Sequence, residues 1–294
     1  MTKRNLLFLS FALAYFISTL NPIRQASAHA GEEIQSFDSL IQIQSDGSLL
    51  ITETIDYDFD DLERHGIFRE IQMEFANQEG TKFETPISVL SVTDQFSNPY
   101  KYSTSKSNGL YSIKIGDANK YVSGIRTYKI TYEIQSAVEG FSDHDEVYFN
   151  VTGNDWQVPI EKVTATILYP EGANPQNMKV ACFTGSFGST STNCTSQLTE
   201  TSANYTSLGI LLPGDGISVL LSFDKGLIQI TPKKQVADYS GILLILGIIW
   251  YVVIPLLVAV VYFKIGRDPK INTAIPALFE PPSDSDRRIS PAEA

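Results

Sequence analysis

A long segment without charged residues constrains the fold of this chain most. Residues 241–263 comprise 23 amino acids and contain no Asp, Glu, Lys or Arg. As an α-helix with a rise of ~1.5 Å per residue, this segment extends about 34 Å, enough to cross the ~30 Å hydrocarbon core of a bilayer. Pro255 lies inside it and predicts a kink, which membrane helices tolerate. The sequence therefore predicts a transmembrane helix over 241–263, and a buried helix of a soluble domain is the disfavoured alternative.

The amino terminus carries the features of a secretory signal. Lys3 and Arg4 precede an apolar run over residues 6–20, and small residues follow between 26 and 30. A basic start, an apolar run of this length and small residues at the cleavage site are typical of an export signal. We therefore expect a signal peptide over 1–30, with an uncleaved signal anchor as the alternative.

These two apolar segments together predict the topology of the chain. An export signal places residues 31–237 outside the cytoplasm, and the helix at 241–263 then stops transfer. Residues 264–294 are therefore expected to form a cytoplasmic tail. The expected location is the cell membrane, with a single pass and the larger domain extracytoplasmic.

Between the apolar segments the dominant hydrophobic period is two, the spacing at which side chains alternate across a β-strand. In residues 51–59 the odd positions are mostly apolar and the even positions carry Thr and Asp. The same alternation recurs over 128–134, 147–151 and 217–223. We expect an all-β fold, an antiparallel β-sandwich of one or two β units, followed by a single C-terminal transmembrane helix. If there are two units, they divide near 139–145.

Two cysteines predict a covalent link within this domain. Cys182 and Cys194 flank a loop rich in Gly, Ser and Thr. In an oxidising compartment we expect them to form a disulfide that pins the loop. The alternative is two separate reduced thiols, because spacing alone does not bring two Cβ atoms within bonding distance.

The charge of the chain restricts its partners. A net charge of −11 repels nucleic acid phosphates, so no nucleic acid partner is expected. The expected partners are the lipid bilayer and an envelope polymer or a membrane protein.

Several motifs extend along the chain in a fixed order. They are Asp46–Leu49 with Thr52-Glu53, His65–Ile71, Val147–Trp156 with Pro159-Ile160, and Gly266–Pro269 with Glu280-Pro281-Pro282 and Ser290–Ala294. Together they resemble the bacterial and archaeal family of predicted membrane proteins described as DUF2207, or YciQ-like. The resemblance implies a signal, an extracytoplasmic β domain, a membrane helix and the Gly-Arg-Asp-Pro segment, with no known enzymatic activity. It also implies continuation beyond residue 294 into further membrane helices, so the chain is either a natural short form or an incomplete sequence.

Sequence signatures of familiar enzyme classes are absent. His65 and His144 are the histidines that remain after the predicted signal, and neither has a second His four residues later, as a zinc protease requires. No Gly-x-Ser-x-Gly nucleophile elbow occurs. We therefore expect no enzymatic activity. The alternative is a membrane-bound enzyme or Ca²⁺-dependent binding protein that uses His65, His144 and nearby carboxylates.

Three carboxylates form a candidate metal site. Asp56, Asp58 and Asp60 share one face of the strand predicted at 51–59, and Ca²⁺ takes six to eight oxygen ligands. We favour a solvated acidic face, because no Asp-x-Asp-x-Asp-Gly loop with a distal Glu is present. No cofactor is otherwise expected.

A short basic segment forms a candidate ligand site. Arg64, His65, Phe68 and Arg69 surround Gly66, which allows a turn that could present positive charge to an anionic ligand. An internal role is favoured, in which Arg69 pairs with the acidic residues of 56–61 and Phe68 anchors the turn in the core.

We therefore expect a membrane-anchored cell-envelope protein whose extracytoplasmic β domain serves binding or interaction, not catalysis.

Overall fold

The computed structural model describes residues 31–77, 80–237 and 240–266, with two short strands at 283–284 and 287–288. The predicted signal peptide and most of the predicted cytoplasmic tail lie outside the described residues. The chain divides into two compact units between Val236 and Ala237.

The first unit is built from short β-strands joined mostly by turns. The strands are β1 (Glu33–Ile43), β2 (Leu49–Asp58), β3 (Gly66–Gln72), β4 (Glu74–Ala76), β5 (Lys82–Glu84), β6 (Ile87–Thr93), β7 (Tyr102–Ser107), β8 (Leu110–Gly116), β9 (Ile125–Ile134), β10 (Val138–Gly140), β11 (His144–Asn150), β12 (Val163–Leu168), β13 (Lys179–Gly185), β14 (Cys194–Leu198), β15 (Ser202–Ser207), β16 (Gly216–Asp224) and β17 (Lys234–Gln235). A 3₁₀ turn at Pro175–Asn177 precedes β13.

These strands form four sheets. The largest has seven strands in the order β14-β15-β12-β1-β2-β9-β6, and a second has four in the order β10-β11-β16-β13. Two three-stranded sheets have the orders β3-β8-β7 and β17-β5-β4. The predicted all-β fold is confirmed. Neighbouring strands run antiparallel except β1 and β12, which pair in parallel from Phe37–Val163 to Gln42–Leu168.

The period-two pattern of the sequence matches the burial of the strands. Along β2 every second side chain is buried and the side chains between them are partly exposed. Ile51 and Ile55 of β2 lie opposite Tyr132 and Tyr128 of β9, and all four side chains are buried. The large sheet therefore has one apolar face, as the alternation predicts.

The apolar faces of the sheets share one hydrophobic core. Phe37 and Ile51 of the seven-stranded sheet, Val219 of the four-stranded sheet and Ile113 of β8 belong to one contiguous buried cluster. Tyr205 of β15 donates a hydrogen bond from its hydroxyl to the Leu220 carbonyl of β16 at 2.7 Å, which links the two larger sheets directly. A single core favours one β unit over two.

The predicted disulfide is confirmed. Cys182 of β13 and Cys194 of β14 are bonded to each other, and these strands belong to the four-stranded and the seven-stranded sheet respectively. The bond therefore ties one edge of each sheet to the other and closes the segment between them.

The second unit contains the candidate membrane helix. It consists of α1 (Ser240–Ile248), a π-helical turn (Ile249–Val253) and α2 (Ile254–Ile265). The stretch from Gly241 to Ile265 contains an 18-residue window with a mean hydropathy of 2.9 and is, among the described residues, the one helix long and apolar enough to cross a membrane. Further along the chain, two strands of two residues each, β18 (Ser283–Asp284) and β19 (Arg287–Arg288), pair in antiparallel orientation.

The π-helical turn lies next to the proline that the sequence singles out. Ile254 N–H donates to the carbonyl of Ile249, five residues earlier. Pro255 has no N–H to continue the usual helical bonding, so the backbone adjusts by widening the preceding turn.

Candidate functional site

A buried arginine lies where three sheets meet. β3 places Ile67, Arg69 and Ile71 on its inward face, and Arg69 is 1% exposed. A guanidinium remains charged in a protein interior, so its burial is tolerated only when its donors are satisfied and its charge is compensated.

All five N–H donors of Arg69 have acceptors. Nε donates to Glu53 Oε2 at 2.8 Å, and Nη2 donates to Glu53 Oε1 at 2.7 Å and to the Val151 carbonyl at 2.8 Å. Nη1 donates to the carbonyls of Glu70 at 2.6 Å and Thr152 at 2.7 Å. The Arg69 side chain therefore connects β3 to β2 of the seven-stranded sheet and to the segment that follows β11.

The carboxylate partner is equally enclosed. Glu53 is fully buried, and its Oε1 also accepts a hydrogen bond from the Tyr132 hydroxyl at 2.5 Å. Burial, and then the charge of Glu53, raise the pKa of Tyr132 well above its usual value, so this hydroxyl keeps its proton and donates. Burial alone would lower the pKa of Arg69, but the Glu53 carboxylate more than offsets this effect of burial, so the pKa is raised. The Arg69 guanidinium also lies 5.4 Å from the centroid of the Phe37 ring.

The segment after β11 is shaped to receive Arg69. Gly153 has φ +73°, and a Cβ on it would lie 3.0 Å from Arg69 Nη1 and 3.1 Å from the Glu70 carbonyl oxygen, so only glycine fits comfortably. Trp156 Nε1 donates to the Thr152 carbonyl at 2.9 Å. The Thr152 hydroxyl accepts from the N–H of Ile217 in β16 at 3.0 Å. The segment is therefore fixed on both sides of the guanidinium.

Two of the internal contacts predicted for the basic segment are wrong. Arg69 pairs with Glu53 and not with the acidic residues of 56–61, because Arg69 and Glu53 face inward while Asp56 and Asp58 lie on the outward face of β2.

Phe68 does not anchor a turn in the core, since it lies on the outward face of β3 and is 56% exposed. Lys114 lies over the Phe68 ring, with its Nζ 5.6 Å from the centroid.

The remaining basic residues of this segment, Arg64 and His65, lie just before β3. Arg64 forms a surface ion pair with Glu32, with Nε donating at 2.8 Å and Nη2 at 3.0 Å. His65 forms a hydrogen bond through Nδ1 with the Lys120 carbonyl at 3.0 Å, and its ring lies 4.4 Å from that of Tyr121. It lines a cavity of about 370 Å³. The structure thus separates Arg64 and His65, at the surface, from Arg69, which is enclosed and out of reach of an external ligand.

Two of the three carboxylates of the candidate calcium site, Asp56 and Asp58, have protein partners. Asp56 accepts hydrogen bonds from Ser36 at 2.9 Å and Thr127 at 2.6 Å. Asp58 accepts from the Gln35 amide at 2.9 Å and from the backbone N–H of Asp60 at 2.9 Å. Within the described ranges, no group of three His, Cys, Asp or Glu side chains is arranged to hold a metal. Calcium binding remains a prediction.

A cleft that the sequence analysis did not find lies over the four-stranded sheet. It has a volume of about 590 Å³. Tyr148 and Asn150 of β11 and Ser218 of β16 line its floor, Phe75 of β4 lines one wall, and Phe187 of the turn after β13 lines another. Tyr148 is 57% exposed, Phe75 44% and Phe187 79%. Three exposed aromatic side chains therefore lie in one solvent-open cleft.

The cleft is joined to the buried ion pair through two asparagines. Asn150 Oδ1 accepts from the Gly153 N–H at 3.0 Å, and Asn150 Nδ2 donates to Asn154 Oδ1 at 2.7 Å. Asn154 Nδ2 donates to the carbonyls of Gly185 and Gly214, both at 3.0 Å. The segment that holds Arg69 thus also holds the base of the turn that carries Phe187.

Comparison with known proteins places this domain in a family. Residues 33–223 match the family described as "Predicted membrane protein (DUF2207) N-terminal domain". The chain is 28% identical to the uncharacterized protein YciQ of Escherichia coli K12 over 182 residues, which cover 60% of this chain and 28% of that protein.

Solved structures show weaker likeness. Native yeast LTA4 hydrolase has a TM-score of 0.41 at 10% identity, over 71% of this chain and 32% of that one. An M1 zinc metallopeptidase variant from Deinococcus radiodurans has a TM-score of 0.37 at 8% identity, over 65% of this chain and 42% of that one. Both scores lie below 0.5, and no functional conclusion follows from them.

The buried pair should dominate the stability of the domain. We expect Arg69→Met to lower the free energy of unfolding by about 3–5 kcal/mol, because it leaves the Glu53 charge buried without a partner. The double variant Arg69→Met/Glu53→Leu should be less destabilised than the sum of the two single variants. Urea unfolding of the full chain in detergent micelles, followed by circular dichroism, measures each value.

The exposed pair formed by Arg64 and Glu32 provides the matched control. Arg64→Met should cost far less than Arg69→Met, because a surface ion pair is screened by water. A loss in Arg69→Met no larger than that in Arg64→Met would contradict a dominant role for the buried pair.

Proposed function

The chain belongs to the DUF2207 family of predicted membrane proteins, and from this premise we propose that it is a membrane-anchored envelope protein whose β domain binds a partner without catalysing a reaction. The β domain lies outside the cytoplasm in this proposal. The candidate membrane helix at Gly241–Ile265 holds it at the bilayer.

The observation that carries the proposal is the aromatic cleft. Exposed clusters of large apolar side chains cost free energy in water and mark interaction surfaces. Phe75, Tyr148 and Phe187 meet in a concave cleft of about 590 Å³, which lies in the usual size range for a binding site. Aromatic side chains are also enriched among the residues that contribute most to binding.

The surroundings of the two histidines support a structural role for both. His65 lies against the Lys120 carbonyl and the Tyr121 ring. His144 forms a 2.8 Å hydrogen bond with Asp143 and stacks on Phe141 with 4.8 Å between ring centroids. Neither histidine lines the aromatic cleft. Binding through the cleft should therefore be independent of both.

The binding proposal is tested with envelope fractions. The full chain in detergent micelles should co-sediment with isolated cell-envelope material, and Tyr148→Ser or Phe187→Ser should weaken this binding about tenfold. Phe96→Ser is the matched control, because Phe96 is 76% exposed, close to the 79% of Phe187, and lies outside the cleft.

Histidine variants separate the binding proposal from its enzymatic alternative. His65→Ala and His144→Ala should bind envelope material as the unaltered chain does. Equal binding by the cleft variants and the Phe96→Ser control would count against the proposal. A substrate conversion that disappears in either histidine variant would favour the enzyme instead.

The orientation is tested by labelling single cysteines introduced on either side of the helix. Thr104 lies on the fully exposed strand β7, and Ser290 lies in the predicted tail. In intact spheroplasts, a membrane-impermeant maleimide should label Thr104→Cys and not Ser290→Cys, whereas permeabilised cells should show both. The reverse pattern would place the β domain in the cytoplasm.

A further inference from the structure

Building on the proposed function, we infer that the aromatic cleft takes an uncharged, polyhydroxylated chain, that is, a glycan segment of the cell envelope. Features of the cleft that support a glycan are the side chains that line it, the pairing of its floor strands and the fixed position of its outer wall.

The lining combines aromatic rings with neutral polar groups. Tyr148, Phe75 and Phe187 offer apolar ring surface, and Asn, Gln and Ser side chains lie among them. A sugar ring has the matching chemistry, because its C–H face packs on an aromatic ring while its hydroxyls exchange hydrogen bonds with amides and hydroxyls at the rim.

The charge of the lining favours a neutral occupant. Glu74 and Lys82 are the charged side chains that line the cleft, and their charges cancel. Arg69, which is linked to the cleft through the segment that contains Asn150, is enclosed and its charge is neutralised by Glu53. An anionic polymer would need unpaired basic side chains in the cleft to offset its desolvation.

The floor of the cleft disfavours an extended peptide. Peptides commonly bind a sheet by adding a strand to an open edge. The floor strands β11 and β16 are interior strands, in the order β10-β11-β16-β13, so their backbone groups are already paired on both sides. The edge strand in the wall, β4, has three residues. The floor of the cleft therefore presents side chains to its occupant and no open strand edge.

The wall that carries Phe187 is fixed before any ligand arrives. The Ser189 hydroxyl donates to the Thr184 carbonyl at 2.8 Å, and the Ser189 N–H donates to the Ser186 carbonyl at 2.9 Å. The disulfide from Cys182 to Cys194 closes the segment that contains this turn. A site ordered in advance loses less conformational entropy on binding.

The experiment compares envelope fractions of different chemistry. The probe is an envelope fraction extracted with chloroform–methanol to remove lipid and digested exhaustively with proteinase K, so that polysaccharide remains. The full chain in micelles should bind this fraction as well as it binds the untreated one. Oligosaccharides released from the same fraction by glycosidases should compete for binding.

Matched variants assign that binding to the cleft. Tyr148→Ser and Phe187→Ser should each reduce binding to the digested fraction about tenfold, Phe187→Trp should retain it within about threefold, and Phe96→Ser should leave it unchanged. Reduction of the disulfide should weaken binding while the β-sheet circular dichroism signal persists. Without the disulfide, the turn that carries Phe187 is less constrained, but the core remains folded.

The outcomes separate this inference from the proposed function. Cleft-dependent binding to untreated envelope that disappears after protease digestion would overturn the glycan and identify a protein partner, leaving the proposed function intact. Cleft-dependent binding lost on lipid extraction would overturn the glycan in the same way. Binding that ignores the cleft variants in every fraction would overturn both.

Discussion

The ion pair between Arg69 and Glu53 is the interaction on which the rest of this domain depends. Two charges are removed from water, which is costly unless the geometry compensates. Here the compensation is complete for the guanidinium, with all five donors used. The Tyr132 hydroxyl adds a further bond to the carboxylate. Because each partner comes from a different sheet, the pair specifies how the sheets are placed against one another as well as holding them together.

The same pair connects the core to the proposed binding surface. Arg69 holds the carbonyls of Val151 and Thr152, and this segment continues through Asn150 and Asn154 to the base of the turn that carries Phe187. The hydrogen bonds along this path are 2.7–3.0 Å long. A cleft formed by side chains far apart in sequence can therefore keep one shape without a large core of its own. The motifs quoted at His65–Ile71 and Val147–Trp156 meet at this point, which gives each of them a physical role.

Much of the architecture follows from local patterns in the sequence. Period-two alternation predicts β2, β9, β11 and β16, because each has one face in a shared core. The uncharged segment predicts the membrane helix, and two cysteines on either side of a Gly/Ser/Thr loop in an exported domain predict the disulfide. The parallel pairing of β1 and β12 has no such local signal, since β12 returns to β1 only after more than a hundred intervening residues have formed other sheets.

The buried pair did leave a trace in the sequence. Glu53 interrupts the apolar positions of 51–59, and Arg69 occupies the position between Ile67 and Ile71 on the inward face of its strand. Opposite charges at core-facing positions of two strands indicate a buried pair. The same pattern excludes Asp56 and Asp58 as partners of Arg69, because they lie on the other face of β2. The aromatic cleft leaves no comparable trace, because its side chains come from β4, β11, β16 and the turn after β13, and only the three-dimensional fold brings them together.

Amide hydrogen exchange on the full chain in micelles tests most directly whether the buried guanidinium holds the cleft in shape. In Arg69→Lys we expect faster exchange at Gly153 and Ile217, whose N–H groups bond to Asn150 and Thr152, while exchange in β14 and β15 stays unchanged. Unchanged exchange at Gly153 and Ile217, or an equal increase throughout the domain, would contradict this expectation.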